Sequence, residues 1–224
     1  MGRAGRWLQR GVFAFVIRPL LWLLIGLRVR NHGALPSEGP AILVANHNSH
    51  LDTIVLMSLF DGEKLATVRP AAAADYFAKP GLVSWISRAI LNIIAIDRSG
   101  VGAEVALQPV RDALGRGEVV ILYPEGTRGE PEKLERFRRG IALLISELPE
   151  VPVVPVFMHG LGRALPKGER VLVPFFCDVI CGDPMELGQM PANEIPTHLA
   201  ERISELGGKI QVGWHEEASD PPNG

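Results

Sequence analysis

Short, continuous apolar runs alternate along this chain with stretches whose apolar residues recur at helical spacing. Residues 41–45 (Ala-Ile-Leu-Val-Ala), 118–123 and 153–157 are dominated by aliphatic side chains and read as buried strands. Shorter strands are expected at 65–68 and 93–96. A longer one is expected at 170–180, where Pro174 marks an edge or a bulge. Helices are expected at 53–60, at 81–90 with Trp85 and Ile86 turned inward, and at 101–114, 138–148 and 196–210. Within 101–114, Pro109 should bend or restart the helix. Strands alternating with helices predict an α/β domain over residues 36–212, built on a largely parallel, mixed sheet flanked by helices. Residues 213–224 read as a disordered tail.

The N-terminal pattern is different. Residues 12–27 are apolar except for Arg18-Pro19 near the middle. A helix that crosses a bilayer needs about 20 apolar residues, and an arginine at its centre costs roughly 2.5–3.5 kcal/mol. Pro19 also removes a helical hydrogen bond. Residues 1–35 are therefore expected to form a broken, amphipathic, membrane-associated helical segment lying in the interface. Trp7 and Trp22 suit the headgroup boundary. Arg3, Arg6, Arg10, Arg18, Arg28 and Arg30 all precede the first acidic residue, Glu38, and suit anionic lipid. The other reading is a helix docked on the protein's own core. Arg28-Val29-Arg30 follows the apolar run without a small-residue cleavage site, which argues against a cleaved leader.

Composition narrows the partners. A chain of 224 residues suits one domain with a substantial core. A formal net charge of -2 argues against nucleic acid. Cys177 and Cys181 are the 2 cysteines, and their spacing fits neither a zinc site nor a thioredoxin motif. On a strand they would share a face and pack as small apolar groups. The lack of a disulfide framework fits a reducing compartment. The expected location is thus the cytoplasmic face of an inner or plasma membrane.

The candidate chemistry is concentrated in Asn46-His47-Asn48-Ser49-His50-Leu51-Asp52, between the strand at 41–45 and the helix at 53–60. A strand-to-helix turn holds side chains fixed and reachable. A histidine that takes a proton from a hydroxyl needs a carboxylate to set its tautomer and steady the imidazolium, and His47 and Asp52 fit those roles. Ser49-x-x-Asp52 is equally a capping box, with Ser49 as N-cap and Asp52 reaching back from the third helical position. The two readings are compatible, and the sequence leaves both open.

Ligands of parallel sheets sit beyond the carboxyl ends of the strands. That rim should carry Asn46 to Asp52, Asp97-Arg98, Pro124 to Gly129 and the segment after Phe157. Pro124-Glu125-Gly126-Thr127-Arg128-Gly129 combines glycines that let backbone approach a ligand with a hydroxyl and a guanidinium. Arg136, Arg138 and Arg139 follow before a helix. Arginine pairs with phosphate, and helix N-termini favour anions, so a phosphate-bearing ligand is the natural reading. A solvated turn with surface arginines is the plainer alternative. No nucleophile-elbow serine, Walker loop or zinc helix is present, and Gly160-Leu161-Gly162 lacks the third glycine of a dinucleotide loop. His32 and His159 are isolated and read as structural.

With these residues in place, the chain resembles the glycerolipid acyltransferases, in particular members that act on 1-acylglycerol-3-phosphate. The resemblance covers roughly residues 41–155. It rests on Asn46-His47-x4-Asp52, Ile96-Asp97-Arg98, Tyr123-Pro124-Glu125-Gly126-Thr127-Arg128 and Val151-Pro152-Val153-Val154-Pro155, in the family's order. It implies a glycerol-3-phosphate acyltransferase-like fold behind an N-terminal membrane helix. His47 would be the general base and Asp52 its partner. Asn46, Ser49, Arg98, Glu125, Gly126, Thr127, Arg128 and Arg139 would form the substrate site, with Arg98 and Arg128 on the phosphate. The donor would be acyl-CoA or acyl-carrier protein, the acceptor a lysophospholipid, with no metal, no cofactor and no covalent acyl-enzyme. His50 lies off the matching position and would line or support the site.

The chain departs from the family pattern in two places. Asn92 stands where the second block often begins with Gly. The stretch Ala73-Ala74-Asp75-Tyr76-Phe77 lacks a lysine common there, for which Arg69 or Arg139 would have to substitute. These departures bear on the acceptor more than on the reaction. Two further possibilities stay open at this level: a lipid-binding module without turnover, and hydrolysis of acyl esters.

Overall fold

The computed structural model describes residues 2–74, 90–97, 99–100, 102–126, 137–164 and 175–210. In chain order these form α1 (Arg3–Leu24), β1 (Ile25–Arg30), β2 (Ala41–Ala45), α2 (Leu51–Ser58), α3 (Gly62–Leu65), β3 (Val68–Ala73), β4 (Ile94–Ile96), α4 (Ala103–Ala106), α5 (Gln108–Gly115), β5 (Val119–Leu122), α6 (Gly140–Glu147), β6 (Val153–His159), α7 (Leu161–Ala164), β7 (Phe175–Cys181) and α8 (Ile195–Gly208).

The strands make one 7-stranded sheet in the order β1-β7-β6-β2-β5-β3-β4. Every neighbouring pair is parallel except β6 with β7. β2 therefore lies between β6 and β5, and all five of its side chains are buried. This is why its sequence is continuously apolar: a strand covered on both faces has no polar side. Alternate residues feed two apolar layers. Leu43, Ala45, Ile121, Val154 and Val156 pack with α1, α2 and α7 on one face. Ile42, Val44, Val120, Leu122 and Val153 pack with α5, α6 and α8 on the other. A fully buried aliphatic residue such as Leu43 or Ile121 contributes about 1.5–3 kcal/mol from burial.

The mixed, largely parallel sheet flanked by helices matches the expected fold, and local details differ. Residues 65–68 are expected as a strand, but Leu65 closes α3 and the strand starts at Val68. Leu65 is core either way, and a short apolar run does not distinguish a strand from a helical turn. The helix expected over 101–114 restarts as expected near Pro109, with α4 ending at Ala106 and α5 beginning at Gln108 with Pro109 in its first turn. Cys177 and Cys181 are free, buried and on one face of β7. Residues 211–224, Pro174 and all of 81–90 except Ile90 lie outside the described residues.

The N-terminal segment shows two departures. The helix expected to break at Arg18-Pro19 runs unbroken from Arg3 to Leu24. Its middle, Phe13–Ile17, winds into a π turn in which Arg18 N–H reaches Phe13 O. Pro19 then falls in the first turn of the following segment, where a missing donor is tolerated. The segment expected to end at residue 35 also stops being helical at Leu24, because Ile25–Arg30 joins the sheet edge beside β7. Gln9 Nε2 donates to Ile90 O at 2.8 Å, Arg10 pairs with Glu63 at 2.9 Å, and Arg18 donates to Ser58 O and Phe60 O at 3.0 and 2.6 Å. Phe13 and Leu21 are buried in the core on this side. The opposite face exposes Trp7, Phe15, Trp22 and Leu23, with Phe15 and Trp22 each 84% accessible.

Candidate active site

The parallel strands β2, β5 and β6 end on one rim, and the polar residues singled out in the sequence gather there. Asn46 follows β2 and is buried. Its Nδ2 donates to Met158 O at 2.8 Å, and its Oδ1 accepts from Met158 N at 2.8 Å. The amide acts as one more rung of the β2–β6 ladder and fixes the chain just before His47. On the other side, Glu125 Oε1 accepts the backbone N–H of His47 at 3.0 Å.

Asp52, in the first turn of α2, is almost wholly buried. Its Oδ2 accepts from His47 Nδ1 at 2.9 Å, from Asn48 N at 2.7 Å and from Ser49 N at 2.8 Å. An oxygen that meets two backbone donors is an acceptor toward the imidazole too. The proton of neutral His47 therefore sits on Nδ1, and Nε2 carries the lone pair. Ser49 Oγ accepts from Leu51 N at 3.2 Å. The helix begins at Leu51 with His50, not Ser49, at its N-cap and no side-chain capping bond. Only the reach of Asp52 back to Ser49 N remains of the expected box, and that same oxygen holds the ring. His47 itself is part-exposed, with its side chain 20% accessible.

Tyr123 directly follows β5 and completes the setting. Its ring stacks on the His47 imidazole with centroids 4.1 Å apart and planes 19° apart. Its hydroxyl bonds Thr53 Oγ1 at 3.0 Å. Burial, then the Asp52 charge, push the Tyr123 phenol well above its ordinary range, with the Thr53 bond opposing them.

The turn after Tyr123 is tightly closed. Gly126 N donates to Tyr123 O at 3.0 Å, and Gly126 lies at φ 79°, a left-handed conformation that favours glycine. Arg138 N donates to Pro124 O at 2.9 Å, and its Nε donates to Glu125 O at 3.3 Å. Beyond this turn opens a cleft of about 300 Å³ between the ends of β4 and β5 and helices α4 and α6. Ile96, Leu122, Ile141 and Leu144 give it apolar walls, and Asp97 and Arg138 also line it. Hydrogen bonds from Ser99 hold the exposed Asp97 carboxyl below its usual range.

The expected site residues divide as follows. Asn46, His47, Ser49, Asp52, Glu125 and Gly126 meet on the rim. Arg98, Thr127 and Arg128 lie outside the described residues. Arg139 is exposed just before α6, and its neighbour Arg138 is the arginine that bonds the turn. Arg69, considered as a stand-in for the missing lysine, donates to Asn92 O at 3.1 Å and pairs with Glu118 at 3.3 Å. Asn92 takes φ 51°, which asparagine tolerates well and which accounts for its standing where glycine is common. His50 is exposed at the start of α2. His32 is structural, its Nε2 lying 3.0 Å from Leu59 O. In the sequence Tyr123 stands only as the first residue of the third block and Arg138 only as one of three arginines before α6, and Thr53 carries no expectation. An aromatic residue closing a strand before Pro124 was the available signal. Among the described residues no cluster suited to a metal ion is present.

A family model described as Acyltransferase matches residues 26–159. The human protein 1-acyl-sn-glycerol-3-phosphate acyltransferase alpha is 28% identical over 186 residues, covering 80% of this chain and 62% of its own length. The lyso-ornithine lipid O-acyltransferase of Rhizobium meliloti is 30% identical over 148 residues, covering 62% of this chain and 46% of its own length. The crystal structure of PlsC, the 1-acyl-sn-glycerophosphate (LPA) acyltransferase from Thermotoga maritima, superposes with a TM-score of 0.73 at 24% identity, covering 94% of this chain and 83% of that one. That likeness shows the fold. This chain spans about three-fifths of the length of the first curated relatives it matches.

Proposed function

This chain belongs to the acyltransferase family, and from that premise we propose that it moves a fatty acyl group from an acyl thioester to a free hydroxyl of a lysophospholipid. The observation that carries this reading is the His47 Nδ1–Asp52 Oδ2 bond at 2.9 Å on the strand-end rim, which supports Nε2 as the basic nitrogen. Nε2 takes the hydroxyl proton as the oxygen attacks the thioester carbonyl. The C–S bond breaks, an ester forms, and the imidazolium gives its proton to the departing thiolate, releasing the free thiol. Asp52 stabilises the transient imidazolium. Aligning two bound substrates accounts for up to about 7–11 kcal/mol of barrier lowering in favourable cases.

The acceptor we favour is 1-acylglycerol-3-phosphate, giving phosphatidic acid. The names of the human and Rhizobium relatives share a lysolipid acceptor and differ in its headgroup. Arg98 and Arg128 are assigned to the phosphate on the family pattern, with Thr127 beside them. The donor is acyl-CoA or acyl-carrier protein. The apolar cleft behind Tyr123 and Gly126 suits a fatty chain.

Membrane association fits α1. The helix is long and apolar enough to cross a membrane by length and composition. Gln9, Arg10 and Arg18, however, tie one face of it to the domain. We read it as lying in the interface on its Phe15–Trp22 face, on the cytoplasmic side, which brings the rim to lipid substrates.

The test is thiol release and product mass from the full chain in micelles, with acyl-CoA or acyl-carrier protein and a panel of lysolipids. Turnover with at least one pair is expected. His47→Ala should lower kcat by about 10²–10⁴-fold. His50→Ala, at an exposed position, should keep most of it. Free fatty acid without acylated product would reassign the chain to hydrolysis, and no turnover with any pair sinks the proposal.

A further inference from the structure

We propose that Tyr123 is a positioning residue for His47: its ring lies flat on the imidazole and, tethered through its hydroxyl to Thr53, holds that ring in the plane in which Nδ1 meets Asp52. The kinetic consequence rests on the acyl-transfer reading above, and the geometric one stands without it.

A hydrogen bond at Nδ1 fixes one point of the imidazole. The terminal torsion of a histidine is broad, so rotation about that point stays easy. A stacked ring at 4.1 Å and 19° fixes the plane instead. The two restraints together leave one orientation for Nε2. Thr53 directly follows Asp52 in α2. The carboxylate and the tether thus come from adjacent residues of one helix, and any motion of α2 carries both. The Tyr123 side chain comes from the opposite side, just after β5, and its bond to Thr53 at 3.0 Å closes the frame.

The same contact serves the charged state. The negative π face of an aromatic ring attracts a cation placed over it. When His47 takes a proton, it does so with that face against it. Among the described residues, Asp52 from α2, and Glu125 and Tyr123 from the chain after β5, contact His47, and Cys177 of β7 lies near Asp52. The phenol and the thiol stay neutral, since burial raises both. Tyr123 therefore adds polarisability and shape beside the dyad without a competing charge. Phenylalanine would supply the face without the tether, and leucine would supply neither.

The experiment uses the full chain in micelles with Tyr123→Phe, Tyr123→Leu and Thr53→Val. Kinetic constants are measured beside the NMR signal of the bonded His47 Nδ1 proton. Tyr123→Leu should lower kcat about 10- to 100-fold, the scale of a small misplacement of a reacting group. KM for both substrates should stay within about threefold in Thr53→Val, which keeps the Tyr123 ring in the cleft wall, whereas Tyr123→Leu alters that wall and is judged on kcat and the proton signal. The bonded proton should exchange faster with water. Tyr123→Phe should recover most of the loss, and Thr53→Val should fall between. Thr53→Val keeps the ring, so it remains informative if Tyr123→Leu folds poorly. An unchanged kcat in Tyr123→Leu, a loss carried by KM in Thr53→Val, or an unchanged proton signal overturns the proposal. If the wild-type chain transfers acyl groups with no substrate pair, the functional reading fails, and the proton signal alone decides whether Tyr123 holds the ring.

Discussion

The Glu125 carboxylate accepts the backbone N–H of His47 at 3.0 Å, tying the turn after β5 to the turn after β2. Glu125 is buried, so this bond is made away from bulk water. It holds the backbone that carries the imidazole, in addition to any part Glu125 plays toward an acceptor. Glu125→Gln keeps an oxygen on the same donor and should retain most stability. Glu125→Ala leaves that N–H without its acceptor and should cost about 1–3 kcal/mol in urea unfolding, with kcat falling as the His47 turn relaxes. Equal unfolding midpoints for the two variants would show that the bond does not support the rim.

Gly126 makes a sharper test of the same turn. Its φ of 79° disfavours a side chain, and a Cβ there would collide with the Arg138 guanidinium. Arg138 can move only by giving up its bond to Glu125 O. Gly126→Ala should therefore destabilise by about 1–3 kcal/mol from backbone strain. It should also raise the KM for the acceptor as Arg138 is displaced from the cleft. Pairing Gly126→Ala with Arg138→Ala removes the collision and leaves the strain. Stability should then be partly recovered relative to Gly126→Ala alone, and no recovery would refute the steric account.

The sheet was legible because β2, β5 and β6 are covered on both faces and must be continuously apolar. His47 and Asp52 were legible because a local turn brings them together, five positions apart. Tyr123 was not, since its meeting with His47 spans distant positions and depends on the parallel pairing of β2 with β5. Arg138 and Arg139 are indistinguishable in sequence. Only the start of α6 decides which one turns back to Glu125. The strand β1 was hidden for another reason. An apolar stretch running on from a helix carries no mark of where the helix stops, and pairing with β7 supplies that information.

Cys177 and Cys181 give the fold a measurable alkaline weakness. Burial pushes both thiols up to about 12 from 9.0, with the nearby Asp178 and Asp52 charges adding at Cys177. The folded chain keeps these protons after the unfolded chain has begun to lose them. Stability is therefore undiminished below about pH 9 and declines as pH rises from there toward 12. Urea midpoints measured near about pH 8 and about pH 10.5 should differ more for the wild type than for Cys177→Ala/Cys181→Ala. Thiol alkylation at neutral pH should require unfolding. An identical pH difference in the double variant would remove these thiols from the account.

The two faces of α1 predict opposite consequences for mutation. Phe13 is fully buried against the domain, whereas Phe15 and Trp22 are each 84% exposed. Phe13→Ala should lower stability by about 3–5 kcal/mol, as loss of a buried aromatic does, and leave any residual folded protein able to bind lipid. Phe15→Asp/Trp22→Asp should leave the unfolding midpoint nearly unchanged, because neither ring packs on the core. Each substitution replaces a ring suited to the acyl boundary with a charge that resists leaving water. Co-sedimentation with anionic vesicles should accordingly fall severalfold in the double variant, and added salt should weaken what remains through the N-terminal arginines. Binding equal to wild type would mean that the exposed apolar face is not what meets the bilayer. The bonds from Gln9, Arg10 and Arg18 would then hold α1 to the domain for stability alone.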